Sequence, residues 1–378
     1  MQTSVAISPS SVQNSTAKTV ISVDAMGGDL GVAVVIDGMA RAASKNPEIN
    51  FIVHGDEPTI TPLLAKRKGL TGRVSVRHTD EVVDMHDRPS HVMRHGKGTS
   101  MWSCLEAVRT KEASVAVSCG NTGALMALSM IRLRKAAGVK RPAIAILWPS
   151  LNPQGFNVML DVGADIRADA HDLKVFALMG ASYARNGLGL KRPRIGLLNV
   201  GTEDHKGKPE LHEANDIIAE DAKMNGFEYV GFVEGGDIPS DKVDVIVTDG
   251  FTGNVALKTG EGTASLIGLR MREAFTRNLL SKLSALFVLR SLRHLRDKID
   301  PRQVNGGVFL GLNGTVIKSH GAADATGVEA AIRLAFQLAH LGFTEKLAAR
   351  VASGMQNRQD EDETNGEIVD TPQSSENT

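Results

Sequence analysis

Short apolar runs along the chain each end in a loop rich in glycine, asparagine or aspartate, and a helical pattern follows several of these loops. Such runs predict buried strands, and apolar residues three and four apart predict helices. The predicted strands cover residues 20–23, 115–117, 158–160, 195–198, 243–247 and 308–312, and the predicted helices cover 32–42, 124–131, 255 onward and 328–338. The repeated order of strand, loop and helix predicts an α/β protein with three layers, α/β/α, around a mostly parallel sheet.

Six polar loops follow these strands. They are DAMGGDLG (24–31), SCGNTG (118–123), DVGADIRAD (161–169), NVGTEDHKG (199–207), TDGFTGN (248–254) and NGTVIKSHGAAD (313–324). Because ligands of parallel sheets bind beyond the carboxyl ends of the strands, the pattern predicts that all six loops meet at one edge. Glycine-rich turns that enter helices expose N–H groups, which suit an anion. The simple alternative is a set of tight connections with no ligand.

A basic segment interrupts this order. Residues 265–298 carry eight basic and two acidic side chains, and Leu279, Leu283 and Phe287 follow a spacing of four. The pattern predicts a basic amphipathic helix or helical hairpin. It favours contact with a membrane surface or an acidic partner, although packing on its own core or on a dimer partner gives the same pattern.

Composition and charge narrow the class of protein. The chain has 378 residues, 43 basic and 43 acidic side chains, two cysteines and 38 glycines. Two cysteines exclude a disulfide framework, and the chain has no apolar run of the roughly 18 residues that span a membrane. We expect a soluble protein of a reducing compartment, with a disordered leader (1–18), one large catalytic unit (19–354) and a disordered acidic tail (355–378).

Eight ordered motifs together resemble one enzyme family. They are VDAMGGD (23–29), RPSHVMRHGKGTSM (88–101), SCGNTGALM (118–126), RPA (141–143), LDVGAD (160–165), LLNVGTEDHKG (197–207), VTDGFTGNVALKTGEG (247–262) and LGLNGTVIKSHG (310–321). The set is similar to that of the bacterial phosphate acyltransferases, which make acyl phosphate from acyl-acyl carrier protein and inorganic phosphate. The resemblance covers roughly residues 20–345.

The resemblance implies a fold like that of isocitrate and isopropylmalate dehydrogenases, with a protruding amphipathic helical hairpin at 259–298. It implies a homodimer in the cytoplasm, attached peripherally to the inner face of the membrane through Leu279, Leu283 and Phe287. The acyl phosphate would pass to a membrane glycerol-3-phosphate acyltransferase in phospholipid synthesis. The resemblance assigns Lys206 and Asn254 as catalytic or phosphate-binding residues. Neither a cofactor, a metal nor a nucleic acid is expected.

The chemistry of such a reaction needs an anion site more than an acid or a base. Thiols have a pKa near 8.5, so the thiolate leaves readily, and the harder task is to hold phosphate and stabilise an oxyanion. The candidate binding residues from the loops are Asp24, Gly27, Gly28, Asn121, Thr122, Gly123, Gly253, Lys258, Lys318 and His320. Asp24 is expected to orient lysines and amides, since it would repel phosphate.

Four other interpretations stay open at this point. Cys119 in SCGNTG could be a nucleophile, although a small buried packing residue is the commoner outcome. A phosphotransacetylase-like enzyme would use coenzyme A, and a dehydrogenase would need a nicotinamide and a divalent metal. A non-catalytic membrane adaptor would tolerate the loss of Lys206 and Asn254.

Overall fold

One sheet of eleven strands organises the part of the chain that the structure, a computed structural model, describes: residues 18–203, 205–278 and 306–353. The strands are β1 (Thr19–Asp24), β2 (Ile49–Gly55), β3 (Val74–His78), β4 (Val115–Ser118), β5 (Ala143–Pro149), β6 (Phe156–Leu160), β7 (Arg194–Leu198), β8 (Glu228–Val233), β9 (Val245–Val247), β10 (Gly307–Leu310) and β11 (Thr315–Lys318). All six predicted strands are present.

The helices are α1 (Val32–Lys45), α2 (Glu57–Ala65), α3 (Pro89–His95), α4 (Ser100–Arg109), α5 (Thr122–Arg132), α6 (Ala170–Ser182), α7 (Pro209–Asn225), α8 (Gly250–Thr276) and α9 (Ala325–His340). Short 3-10 turns cover Lys68–Leu70 and Gly235–Asp237, and a π-helical turn over Tyr183–Gly187 follows α6. Residues 343–353 are also helical. None of the described helices is both long and apolar enough to span a membrane.

Side chains of the strands alternate between two apolar layers. Val23 and Phe51 pack into the layer that contains α1, α6 and α9, whereas Ile52 packs into the layer under α3, α4 and α5. Strands that bury both faces read as continuous apolar runs, which is why their pattern was visible in the sequence. The predicted α/β/α class with a mostly parallel sheet is confirmed. The boundaries of the catalytic unit at 19 and 354 stay a prediction.

The direction of the strands corrects one expectation. The sheet order is β3-β2-β1-β4-β11-β10-β5-β6-β9-β7-β8, with antiparallel pairing of β11 with β10, β10 with β5, and β5 with β6. Strands β1–β5 and β11 therefore run one way, and β6–β10 run the other. The expectation that all six loops meet at one edge was wrong, because a buried strand has the same apolar pattern in either direction.

The loops consequently form two groups at opposite edges. The Asp24 edge comprises the loops after β1, β4 and β11 (24–31, 119–121 and 319–324), and the Lys206 edge comprises those after β6, β7 and β9 (161–169, 199–208 and 248–249). Helix α8 begins at the Lys206 edge. A Cβ on Gly260 would lie 2.6 Å from the ring of Trp148. Trp148 is near the carboxyl end of β5, which lies at the Asp24 edge. Helix α8 thus runs from one edge of the sheet towards the other.

The predicted hairpin at 259–298 is described only in its first part. Helix α8 continues to Thr276, and Leu266, Ile267 and Leu269 on it are exposed. Leu279, Leu283 and Phe287 lie outside the described residues, so the hairpin itself stays a prediction.

Candidate functional site

A buried carboxyl group organises the Asp24 edge. Asp24 ends β1, and its carboxylate accepts hydrogen bonds from Ser118 Oγ (2.7 Å) and from the N–H of Met26 (3.2 Å). Burial raises the pKa of Asp24, and the hydrogen bonds partly oppose this shift. A Cβ on Gly27 would lie 2.7 Å from the same carboxylate and 2.8 Å from the Cα of Gly120. Close packing of the two loops against Asp24 therefore explains why residue 27 is a glycine.

The GNTG loop is held by its asparagine. Asn121 caps α5 by accepting the N–H of Ala124 (3.1 Å), and its Nδ2 donates to the carbonyl oxygens of Met85 (2.9 Å) and Asp87 (3.0 Å). These contacts use both ends of the side-chain amide. The next two candidates, Thr122 and Gly123, lie in the first turn of α5.

A buried lysine lies at the Asp24 edge. Lys318 ends β11, and its Nζ donates to the carbonyl oxygens of Cys119 (3.3 Å) and Ser319. Burial lowers the pKa of Lys318 to about 8, and the nearby acidic groups of Cys119, Asp29 and Asp24 partly oppose this shift. His320, two residues on, is exposed, and its Nδ1 accepts the N–H of Ala322 (3.1 Å). Gly28 lies against Cys119, since a Cβ there would be 3.1 Å from its Cβ.

A second buried carboxyl group organises the Lys206 edge. Asp161 follows β6 directly and accepts the N–H groups of Ile144 (2.8 Å), Ala164 (3.0 Å) and Asp165 (2.8 Å). Burial raises the pKa of Asp161 to about 6 despite these bonds. Gly253, in the first turn of α8, is buried so tightly that a Cβ there would clash with the carbonyl oxygen of Asp161. Sequence reasoning missed Asp161, although its place after a strand matches that of Asp24.

Lys206 lies in the loop after β7 and is half-exposed. Its Nζ pairs with Glu203 Oε1 at 2.7 Å, and this hydrogen bond raises the pKa of the lysine. Asn199 holds this loop in place through two hydrogen bonds. Its Nδ2 donates to the carbonyl oxygen of Lys206 (2.9 Å), and its Oδ1 accepts the N–H of Val200 (2.8 Å). Asn199 is buried, and it was also missed at the sequence level.

Asn254 and Lys258 lie one turn apart on α8, and residues four apart share one face of a helix. A Cβ on Gly163 would lie 3.5 Å from the Cβ and Cγ of Asn254, so Asn254 faces the loop after β6. Lys258 is exposed and pairs with Glu261 at 2.8 Å.

A cavity of about 610 Å³ opens at the Lys206 edge. Gly207 and Lys208, which follow Lys206, line it together with Thr252 and Val255, which flank Asn254. Lys206 and Asn254 do not line the cavity themselves, but each is next in sequence to a residue that does. The other candidates, apart from Gly253 and Lys258, belong to the Asp24 edge.

Two further groups bear on the alternatives. Cys119 is buried, and burial raises the pKa of its thiol, which disfavours a thiolate nucleophile. Among the described residues, Asp56, His78 and Asp80 could bring three ligand atoms together for a metal ion. However, Asp56 already caps α2 through the N–H of Thr59 (3.1 Å), and His78 Nδ1 accepts the N–H of Glu57 (3.1 Å).

Two solved structures share the fold of this chain. A phosphotransacetylase from Streptococcus pyogenes superposes with a TM-score of 0.55 over 85% of this chain and 94% of its own, at 16% identity. A phosphotransacetylase from Staphylococcus aureus gives 0.52 over 88% and 95%, at 14% identity. At such identities the likeness supports the fold alone.

Comparison of sequences is more specific. A family model described as "Fatty acid synthesis protein" matches residues 19–346. A phosphate acyltransferase of Cereibacter sphaeroides (strain ATCC 17025) is 68% identical over 91% of this chain and 93% of its own. That of Dinoroseobacter shibae is 70% identical over 89% and 87%. The chain therefore belongs to the phosphate acyltransferase family of enzymes.

Proposed function

We propose that this enzyme transfers a fatty acyl group from acyl-acyl carrier protein to inorganic phosphate and releases acyl phosphate for glycerophospholipid synthesis. A phosphate oxygen attacks the thioester carbonyl carbon, the new C–O bond forms, the C–S bond breaks, and the carrier protein leaves as its thiolate. The single observation that carries this assignment is one cavity lined by immediate sequence neighbours of Lys206 and Asn254, in a chain of this family.

The charges of the site support direct attack by phosphate. Asn254 offers an amide N–H to an oxyanion, and Lys206 supplies a cation from the facing loop. Lys258 lies one turn farther along α8 than Asn254 and pairs with Glu261. We assign both phosphate and the thioester oxygen to the cavity beside Asn254 and Lys206, because the attacking oxygen must come within about 3–3.5 Å of the thioester carbon. The buried carboxyl of Asp24 orients the loop and does not contact phosphate.

A basic surface beside the cavity supports an acidic carrier protein. Arg134, Lys135 and Lys140 are exposed, while Arg141, which ends this stretch, lines the cavity and pairs with Asp165. Complementary charge of this kind steers partners and fixes their orientation. Lys135→Glu combined with Lys140→Glu should lower kcat/KM for acyl-acyl carrier protein and leave acyl-coenzyme A turnover unchanged. Equal loss with both donors would contradict this docking surface.

The reaction itself is tested by trapping its product. The full-length protein receives palmitoyl-acyl carrier protein and phosphate, and hydroxylamine converts the acyl phosphate into a hydroxamate. We expect hydroxamate that depends on both phosphate and the carrier-linked donor. Turnover of acyl-coenzyme A alone would instead support the phosphotransacetylase-like alternative. A kinetically competent acylated cysteine or serine would overturn direct attack.

We further propose a homodimer that attaches peripherally to the cytoplasmic face of the membrane and passes its product to a membrane glycerol-3-phosphate acyltransferase. Leu266, Ile267 and Leu269 of α8 lie in the basic segment 265–298 and are exposed, which supports an apolar partner for this segment. Leu279→Asp combined with Phe287→Asp should release the protein from anionic vesicles in a flotation assay. Unchanged binding to these vesicles would contradict the membrane assignment.

A further inference from the structure

The cavity at the Lys206 edge has a mostly apolar interior and an opening lined by both polar and apolar side chains. Its apolar lining comes from α6, β7, α7, the loop after β8 and α8: Leu173, Leu198, Leu211, Ile238, Val255 and Ala256. Leu173, Leu198 and Ile238 are buried, so the interior reaches the core of the second half of the sheet. Polar lining is confined to loop and helix-end residues such as Arg141, Lys208 and Asp249.

Three large apolar side chains at the opening remain exposed to solvent. Ile166 and Val200 line the cavity yet leave 69% and 78% of their surface exposed, and Val255 leaves 49% exposed. Large apolar side chains gathered at a pocket mark a surface that an apolar ligand covers. Val200 lies in the loop that carries Lys206, and Val255 is next to Asn254.

Size and chemistry identify the ligand class. Pockets for drug-sized ligands usually occupy about 300–1,000 Å³, and the cavity of about 610 Å³ falls within this range. A nucleotide would need several polar partners in the interior, where the buried polar lining residues are Thr248 and Asn199. The side chain of Asn199 is already bonded to the backbone of its own loop. An unbranched alkyl chain needs none, and the burial of its methylene groups favours binding.

We propose that this cavity binds the fatty acyl chain of the donor and that Leu211, with Leu173 and Ile238, sets the chain length. The inference rests on the proposed function, because it places the thioester at the mouth beside Lys206 and Asn254 and the chain tail against the core. Leu211 is the most suitable probe: it is half-buried in the first turn of α7, where a larger side chain fills the cavity without disturbing a strand.

The test compares acyl-acyl carrier proteins of 8 and 16 carbons as donors. In Leu211→Trp the ratio of kcat/KM for the 16-carbon chain to that for the 8-carbon chain should fall at least about tenfold, the discrimination that small apolar groups produce in such pockets. Leu151→Trp is the matched control, since Leu151 is exposed and lies outside the cavity lining. Its ratio should equal that of the wild type.

A second measurement uses the wild-type protein, so it does not depend on the folding of a variant. A donor whose chain ends in a photoreactive diazirine should crosslink to peptides that contain Leu173, Leu198 or Ile238. Crosslinks solely outside this cavity, or an unchanged chain-length ratio in folded Leu211→Trp, would overturn the inference. If the wild type forms no acyl phosphate from either donor, the proposed function fails instead, and the crosslinks still report whether the cavity holds an alkyl chain.

Discussion

The two edges of the sheet are built on the same local plan and differ in what they leave open. At each edge a buried aspartate at the end of a strand, Asp24 or Asp161, collects hydrogen bonds from neighbouring loops. At the Asp24 edge the polar groups then satisfy one another, as Asn121 and Lys318 do. At the Lys206 edge the loops spread around a cavity with exposed apolar walls. The same glycine-rich pattern therefore serves packing at one edge and ligand access at the other.

The largest expected effect is a loss of catalytic rate when the Lys206 edge is changed. Lys206→Ala should lower kcat on the order of 100-fold, because it removes a cation aimed at the developing oxyanion. Hydroxamate trapping measures the rate, and circular dichroism checks the fold. Lys191→Ala is the control, since Lys191 is an exposed lysine before β7 and outside the loop. Near-normal turnover of Lys206→Ala would remove Lys206 from the mechanism.

The next effect tests the close approach of α8 to Asp161. Gly253→Ala should lower the free energy of unfolding by about 3 kcal/mol, as overpacking of a tight contact does. Gly262→Ala, in the same helix with nothing within 4 Å of its Cβ position, should raise it by up to about 1 kcal/mol. Urea unfolding of both variants measures the difference. Equal stability of the two variants would contradict the packing assigned to Gly253.

A pH profile tests whether the Asp24 edge binds phosphate at all. The pKa of Lys318 is lowered to about 8, so its ammonium is mostly present at pH 7 and mostly lost at pH 9. If the ammonium binds phosphate, KM for phosphate should rise about tenfold over this interval. Lys318→Arg keeps its charge and should give a flat profile. Because phosphate is assigned to the cavity beside Lys206, we expect a flat profile in the wild type, and a rise would place phosphate at the Asp24 edge instead.

The smallest effect concerns Asn121. Because its amide caps α5 and tethers the loop at Met85 and Asp87, Asn121→Ala should lower the free energy of unfolding by about 1 kcal/mol or somewhat more. KM for phosphate should change little once folding is complete. A large rise in that KM with unchanged stability would return Asn121 to the binding site.

The local sequence pattern was enough to locate the strands and the loops, but it did not show which loops lie close together in the fold. The strands before Asp24 and Asp161 are both runs of apolar residues followed by aspartate, so both were visible as connections. Asp161 and Asn199 escaped notice as site residues because their role lies in hydrogen bonds to distant backbone groups. Asn121 was expected to bind phosphate, yet its contacts with Met85 and Asp87 could be recognised only after folding.

The sequence by itself determined the α/β/α class, the elements and the family, since apolar periodicity and motif order are properties of neighbouring residues. Tertiary structure alone decided which loops share an edge, because antiparallel pairing of β5 with β6 reverses β6–β9 without changing any strand's own pattern. It also decided that Leu173, Leu211 and Ile238 enclose one cavity. These leucines and the isoleucine resemble any other core residues until chain segments far apart in sequence are packed together.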